Sequence, residues 1–224
     1  MKRLHILYTL LFIWLLPVTS NGQPAGKEKL RVISYNIWNG FEHDASRRAN
    51  FINWIKGQQP DILAMTELVG FTEKDLGQLA SEYGHKYYAI VKEEGYPVGI
   101  TSNEPITVVK KQMEGFWHGM LHVKTHGLDM IVTHLSPHDW KFRLKEAQML
   151  TSYIQDNQLD NCMVMGDFNA YSPFDADWVE THAQLIENMQ KWDAEQEAYR
   201  NMRDGRFDYS VLSKFLSIGL TDIC

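Results

Sequence analysis

The chain has 224 residues, 44% of them hydrophobic and 22% charged, which suits one domain of moderate size with a substantial core. Its formal net charge of −6 lacks the broad basic footprint of a tight nucleic-acid binder, so an anionic substrate must be met by a metal ion or a few local donors. Two cysteines are too few for a disulfide framework, and there is no internal repeat or low-complexity tract.

Lys2 and Arg3 precede an apolar stretch from Leu4 to Leu16, followed by Pro17 and small or polar residues up to Gly22. That is the pattern of a secretory leader, residues 1–22, with an apolar part too short for a comfortable membrane span. Secreted or periplasmic placement is expected, with no stable membrane span once the leader is cleaved. Cleavage removes two of the 22 basic residues and none of the 28 acidic ones, so the charge becomes about −8. Residues 23–29 form a polar linker, and a domain occupying 30–224 is expected to act as a monomer.

Leu30 to Ile37 reads as a buried strand with Asn36 near its end, a residue poorly suited to strands. Ala45 to Gln58 reads as a helix with Phe51, Ile52, Trp54 and Ile55 facing inward. Asp61 to Leu68 is a second apolar strand, carrying Glu67 near its end. A buried acid costs several kcal/mol unless it is paired or bound to metal. Thr72 and Asp75 form a capping-box pattern, and Leu76, Leu79, Ala80 and Tyr83 continue it at helical spacing. Short strands follow over Tyr87–Val91, Val98–Thr101 and Ile106–Val109. Met120–Lys124 and Leu128–His134 flank His126-Gly127 as a hairpin. His118 and His122 are expected to share one strand face without binding metal.

Asp139 can cap a helix from Trp140 to Asn157, with Leu144, Ala147, Leu150 and Ile154 inward. Cys162 to Met165 is a short apolar strand loosened at its end by Gly166. In extended chain the two-residue spacing of Asp167 and Asn169 places both side chains on one side, with Phe168 opposite. A helix over Thr181–Tyr199 and another over Tyr209–Ser217 complete the chain.

The layout is that of a mixed α/β layered domain. Asn36, Glu67, His134 and the Asp167/Asn169 couple all fall at the C-terminal ends of apolar strands, the edge where open α/β sheets build their sites. Asp and Asn after a strand also make ordinary turns, so the weight lies in the coincidence of four strand ends. A carboxylate with an amide beside it suits a hard divalent cation, magnesium or manganese, which takes oxygen ligands. Asp167 could then orient or deprotonate water, and Asn169 and His134 could donate to phosphate oxygens. Zinc lacks an HExxH or CxxC pairing here, and a nucleophilic serine lacks a G-x-S-x-G context.

The runs Val32-Ile33-Ser34-Tyr35-Asn36-Ile37-Trp38-Asn39, Pro60 to Glu67, Thr133-His134-Leu135 and Gly166-Asp167-Phe168-Asn169-Ala170 resemble, in order, the motifs of the endonuclease/exonuclease/phosphatase superfamily. The resemblance spans Leu30 to Asp222. It implies a four-layer α-β-β-α sandwich with two mixed sheets, and a hydrolase that attacks a phosphodiester or phosphomonoester in line with an activated water. It also implies Glu67 as the metal carboxylate with Asn36 beside it, Mg2+ or Mn2+ as cofactor, Asp167 on the water, Asn169 on the phosphate, and His134 on a phosphate oxygen or leaving group. The substrate stays open among nucleic acid, a phospholipid headgroup and a sugar phosphate.

One departure stands out: the family's closing Ser-Asp-His is absent. Arg206-Phe207-Asp208-Tyr209 looks like the penultimate family strand but leads into a helix-like stretch, so it is read as something else. The expectation is a truncated member lacking its last strands, with an unpaired edge. The alternative is a secreted, non-catalytic relative that retains a phosphate or metal pocket. Trp38 and Asn39 border the Asn36 site, with core packing expected for the Trp, and His138 is a candidate cleft residue.

Overall fold

The computed structural model describes residues 29–196 and 199–223. The expected leader, residues 1–22, lies outside the described residues, as does the linker save Lys29. The elements run β1 (Val32–Asn36), α1 (Trp38–Phe41), α2 (Ala45–Gln58), β2 (Ile62–Thr66), α3 (Glu73–Glu82), β3 (Tyr87–Ile90), β4 (Gly99–Ser102), β5 (Thr107–Gln112), β6 (Met120–Thr125) and β7 (Leu128–His134). They continue with α4 (Trp140–Asp156), β8 (Cys162–Asp167), a 3-10 turn at Pro173–Asp175, α5 (Ala176–Glu180), α6 (Ala183–Glu195), β9 (Met202–Arg203), β10 (Arg206–Phe207) and α7 (Ser210–Leu216).

Two four-stranded mixed sheets, ordered β1-β2-β4-β3 and β5-β6-β7-β8, lie face to face. The two-residue periodicity of each strand explains the layering. On β2, Ile62 and Ala64 enter the core between the sheets, where they meet Leu121 and Val123 of β6 and Met130 and Val132 of β7. The intervening Leu63 and Met65 pack outward against Phe51, Ile52 and Ile55 of α2 and Leu76 and Leu79 of α3. On the other sheet, Met120 and Ile131 pack against Ala147, Leu150 and Ile154 of α4 and Val211 and Phe215 of α7. Every residue of β2 is buried, which is why that strand reads as a continuous apolar run rather than an alternating one. The result is the expected four-layer α-β-β-α sandwich.

Each sheet contains one parallel pair joined by a helical crossover: β1 to β2 through α2, and β7 to β8 through α4. Local signals set the helix starts. Asp44 accepts from Ser46 N and Arg47 N, Thr72 and Asp75 complete a reciprocal capping box, and Asp139 accepts from Lys141 N. Exposed β5 carries Lys110 and Lys111 on a sheet edge, with a register shift between Val108 and Lys110, both of which discourage further strand pairing.

Two expectations, on Trp54 and on the helix over Thr181–Tyr199, are corrected. Trp54 does not face inward; it is exposed, its ring 5.4 Å from that of Tyr35. The helix expected over Thr181–Tyr199 is two helices, α5 and α6, broken at Thr181–His182, where each hydroxyl or ring nitrogen bonds the carbonyl of Trp178. Arg206 and Phe207 pair only with Met202 and Arg203 in a small hairpin, outside both large sheets. No helix among the described residues is long and apolar enough to cross a membrane.

Candidate active site

Strand parity brings the polar strand ends together. Asn36 and Thr66 are paired in the β1–β2 register, and His134 and Asp167 in the β7–β8 register. Thr66 has the parity of Ile62 and Ala64, and His134 that of Met130 and Val132, residues that fill the space between the sheets. Asn36 and Asp167 share the parity of Val32 and Met163, which pack against the same core. Four polar side chains therefore meet at one end of the gap between the sheets.

Glu67 comes one residue after Thr66, and plain alternation would turn it toward the helices. Its φ of +59° redirects it, a left-handed conformation that costs a non-glycine residue about 1 kcal/mol or more. The following loops hold it there. Gly40 N–H donates to Glu67 O at 2.9 Å, and Asn39 N–H donates to Glu67 Oε2 at 2.8 Å. Gly40 is required for this approach, because a Cβ at that position would lie 2.1 Å from Val69 O.

Asn36 joins the two carboxylates. Its Nδ2 donates to Glu67 Oε1 at 2.8 Å and to Asp167 Oδ2 at 3.0 Å, while its Oδ1 accepts Trp38 N–H at 2.8 Å. All three bonds demand the same amide orientation. Asp167 Oδ1 accepts Asn169 N–H at 2.9 Å. Among the described residues no lysine or arginine pairs with Glu67 or Asp167; the nearest cationic candidate is His134 Nε2, 3.9 Å from Asp167 Oδ2. Two carboxylates sharing one amide, without a basic partner, are complementary to a cation. Their hard oxygens fit magnesium or manganese rather than zinc. Among the described residues no three His, Cys, Asp or Glu side chains form a metal cage. Of the two expected ligands, Glu67 fits an ion that keeps several waters, as magnesium does. Asn36, with its Nδ2 on both carboxylates and its Oδ1 on Trp38 N–H, positions the carboxylates and presents no oxygen to an ion in this orientation.

Asn169 departs from expectation. It does not continue the extended chain; its φ is +47°, and its Nδ2 donates to Leu135 O at 2.9 Å. This amide thus ties the loop after β8 to the loop after β7, with one N–H left over. Asp167 and Asn169 stand together because of a turn, not because of the strand pleat. Trp38 also differs: it is 54% exposed at the rim, its indole N–H donating to Glu42, and it is no part of the core. His138 stacks on Tyr199 with ring centroids 4.6 Å apart, beside the cleft rather than on its wall.

A cleft of about 990 Å³ opens on the site. Asn36, Thr66, Asp167 and Asn169 line it together with Arg143, Tyr171, Trp192 and Tyr199. Glu67 and His134 do not form its wall and are both buried. Among the described residues, three buried side-chain atoms lack any hydrogen-bond partner: Thr66 Oγ1, His134 Nδ1 and Arg143 Nε. Two belong to residues of the cleft wall and the third to the site histidine. Buried polar groups in native proteins are nearly always satisfied, so such a concentration marks a place kept for a ligand. Burial lowers the pKa of His134, against the pull of the Asp167 and Glu67 charges, so the ring is neutral at pH 7.

The sequence reading missed Thr66 and His118. Thr66 is an ordinary strand residue by type, and only its unpaired hydroxyl distinguishes it. His118 and His122 do not share a face: His122 lies on the α4 side, bonding Tyr153 and Asp129, whereas His118 stacks on His134 with centroids 4.3 Å apart. Gly119, with φ of +108°, breaks the alternation between them.

Residues 33–215 match the profile of the Endonuclease/Exonuclease/phosphatase family. The chain belongs to that family. The family is one of hydrolases that act on phosphoester bonds. A search of curated proteins gave no significant match. Among solved structures, an AP endonuclease from Archaeoglobus fulgidus is similar at 22% identity and TM-score 0.59, over 87% of this chain and 72% of that one. The 3' phosphatase NExo from Neisseria, bound to a product DNA hairpin, is similar at 20% identity and TM-score 0.60, over 87% and 73%. D. rerio TDP2 complexed with single strand DNA product matches at 18% identity and TM-score 0.51, over 67% of this chain and 65% of that one. This family member thus spans just under two thirds of the D. rerio protein. At these identities the three structures establish a shared fold.

Proposed function

We propose that the chain is an exported, divalent-metal-dependent phosphoesterase that cleaves a phosphodiester or phosphomonoester by in-line attack of water. The observation that carries this reading is the Glu67–Asn36–Asp167 bridge, two carboxylates on one amide with no lysine or arginine partner among the described residues, beside a cleft whose wall includes Asn36 and Asp167. Glu67 would hold the ion, with the Asn36 amide orienting its carboxylate; Asn36 itself would become a ligand only with its amide turned so that Oδ1 faces the ion. Bound there, Mg2+ or Mn2+ would neutralise charge on the phosphate and fix one of its oxygens.

The remaining roles follow from exposure and bonding. The Asp167 side chain is 34% exposed, so it is the carboxylate that meets the attacking water and takes its proton. The Asn169 N–H on Oδ1 and the Asn36 amide on Oδ2 keep it from rotating. The remaining amide proton of Asn169, and the Nε2 proton of neutral His134, donate to non-bridging oxygens as charge builds on them.

Nucleic acid is the first substrate to test, since two of the similar structures hold DNA products; phospholipid headgroups and sugar phosphates come next. Export rests on the leader pattern at residues 1–22, and N-terminal sequencing of the mature protein tests it. The central experiment is hydrolysis of bis(p-nitrophenyl) phosphate with Mg2+, with Mn2+ and with EDTA, on the native chain, Glu67→Ala and Asp167→Ala. Turnover should vanish with EDTA and fall at least ~100-fold in each variant. Turnover that survives EDTA and both substitutions would reject the assignment. A native chain that binds Mn2+ and phosphate without turnover would identify the non-catalytic relative instead.

A further inference from the structure

A histidine that works on a phosphate is ordinarily aimed by a hydrogen bond from its far nitrogen to a carboxylate or carbonyl. Among the described residues His134 has no such bond: Nδ1 is buried without a partner. What lies against the ring is His118, stacked at 4.3 Å with an interplanar angle of 23°. His118 is itself only 5% exposed. It is held by the Tyr96 ring at 5.4 Å and by its neighbour Trp117, whose N–H donates to the buried Glu146 Oε1 at 2.8 Å. Gly119 lets the chain make this turn, since a Cβ there would meet Met113 Sδ at 2.7 Å.

We infer that His118 is a positioning residue, whose ring fixes the plane of His134 and so presents the Nε2 proton to the phosphate beside Asp167. This rests on the reading of His134 as a phosphate-oxygen donor. The tautomer follows from the unpaired nitrogen. A buried N–H without an acceptor is rarer and costlier than a buried lone pair without a donor. Nδ1 is therefore bare and Nε2 carries the hydrogen. The groups facing the pair are Asp167 and Glu67 on the His134 side, and Lys92 and His138 on the His118 side. Burial and the two neighbouring imidazoles, with Lys92, push His118 down to about 3, so the stacked rings do not repel one another at neutral pH.

The test uses the full chain and its His118→Ala, His118→Leu and His118→Phe variants, with three readouts: ring 15N shifts of His134 without metal, kcat and KM on bis(p-nitrophenyl) phosphate with Mg2+, and thermal melting. The native chain should show the Nε2–H tautomer of His134. His118→Ala should give averaged tautomers and a kcat about tenfold lower, with KM within about twofold. His118→Phe, which restores a flat ring, should recover both the tautomer and most of kcat. His118→Leu fills the space without a flat face and should behave like Ala; it decides the matter if the Ala variant does not melt cooperatively. Native-like 15N shifts and kcat in the Ala or Leu variant would overturn the inference. If the native chain shows no turnover with any metal, the phosphoesterase reading fails, and the 15N comparison still decides the role of His118.

Discussion

Thr66 is buried with a hydroxyl that bonds nothing among the described residues, one residue before Glu67 and on the wall of the cleft. Thr66→Val keeps the shape and removes the unsatisfied group. It should raise stability by about 1 kcal/mol in denaturant titration while lowering turnover about tenfold if the hydroxyl serves the bound phosphate. A loss of stability would mean that the hydroxyl has a partner in solution. At this scale much of the site was legible: Asn36, Glu67, His134 and Asp167 stand out because each is polar at the end of an apolar run. Thr66 and His118 were not. Threonine is at home in strands, and counting residues in twos from His122 to His118 passes over the turn at Gly119.

Between elements, Gly166 and Glu146 fix how the site is assembled. Gly166 pairs with Thr133 at φ of +131°, and a Cβ there would lie 1.8 Å from Thr133 O. Gly166→Ala must push β8 away from β7 just before Asp167; a loss of more than ~2 kcal/mol is expected in urea titration, with turnover reduced as well. Glu146, inside α4, accepts Trp117 N–H and Ser136 N–H, each at 2.8 Å. Glu146→Ala strands a buried donor at Ser136 and a part-buried one at Trp117 and should cost about 2–4 kcal/mol by the same measurement. Element starts were readable where side chains declare them, as with Asp44, Thr72 and Asp139. The break between α5 and α6 was not, since no glycine or proline marks Thr181–His182 and the apolar spacing continues through it.

For the whole molecule, buried titratable groups set the pH range of stability. Burial lowers the pKa of His85 and His134 and takes His118 to about 3. Each is neutral when folded and protonates near 6.5 when unfolded, so this stability is present above that value and is lost as pH falls. His118 alone should account for a loss of about 1.4 kcal/mol at pH 5.5. Glu146, raised by burial to about 7 from 4.5, acts in the opposite sense, weakening the fold as pH rises through that interval. Glu146 and His118 act over the same interval with opposite sign and similar size, so the lowered His85 and His134 decide the slope. The melting temperature should fall from pH 7 toward pH 5, as calorimetry would show, and a higher melting temperature at pH 5 would contradict the burial of those two rings. That the domain is a layered α/β one was legible because strand and helix periodicities alternate along the chain; the four-layer order came from the resemblance of its motifs. Periodicity alone does not give the face-to-face closure of the two sheets, because it shows that a strand buries a side without showing against what.

The hairpin turn at His126-Gly127 opens β7, and the seven residues of that strand, spanning roughly 20 Å, carry the chain from there to His134. A Cβ at Gly127 would touch nothing within 4 Å. An affinity tag or anchoring peptide spliced into this bend would hang from the pole remote from the chemistry. The protein could then be tethered to a solid support with the mouth of its cleft turned toward the medium.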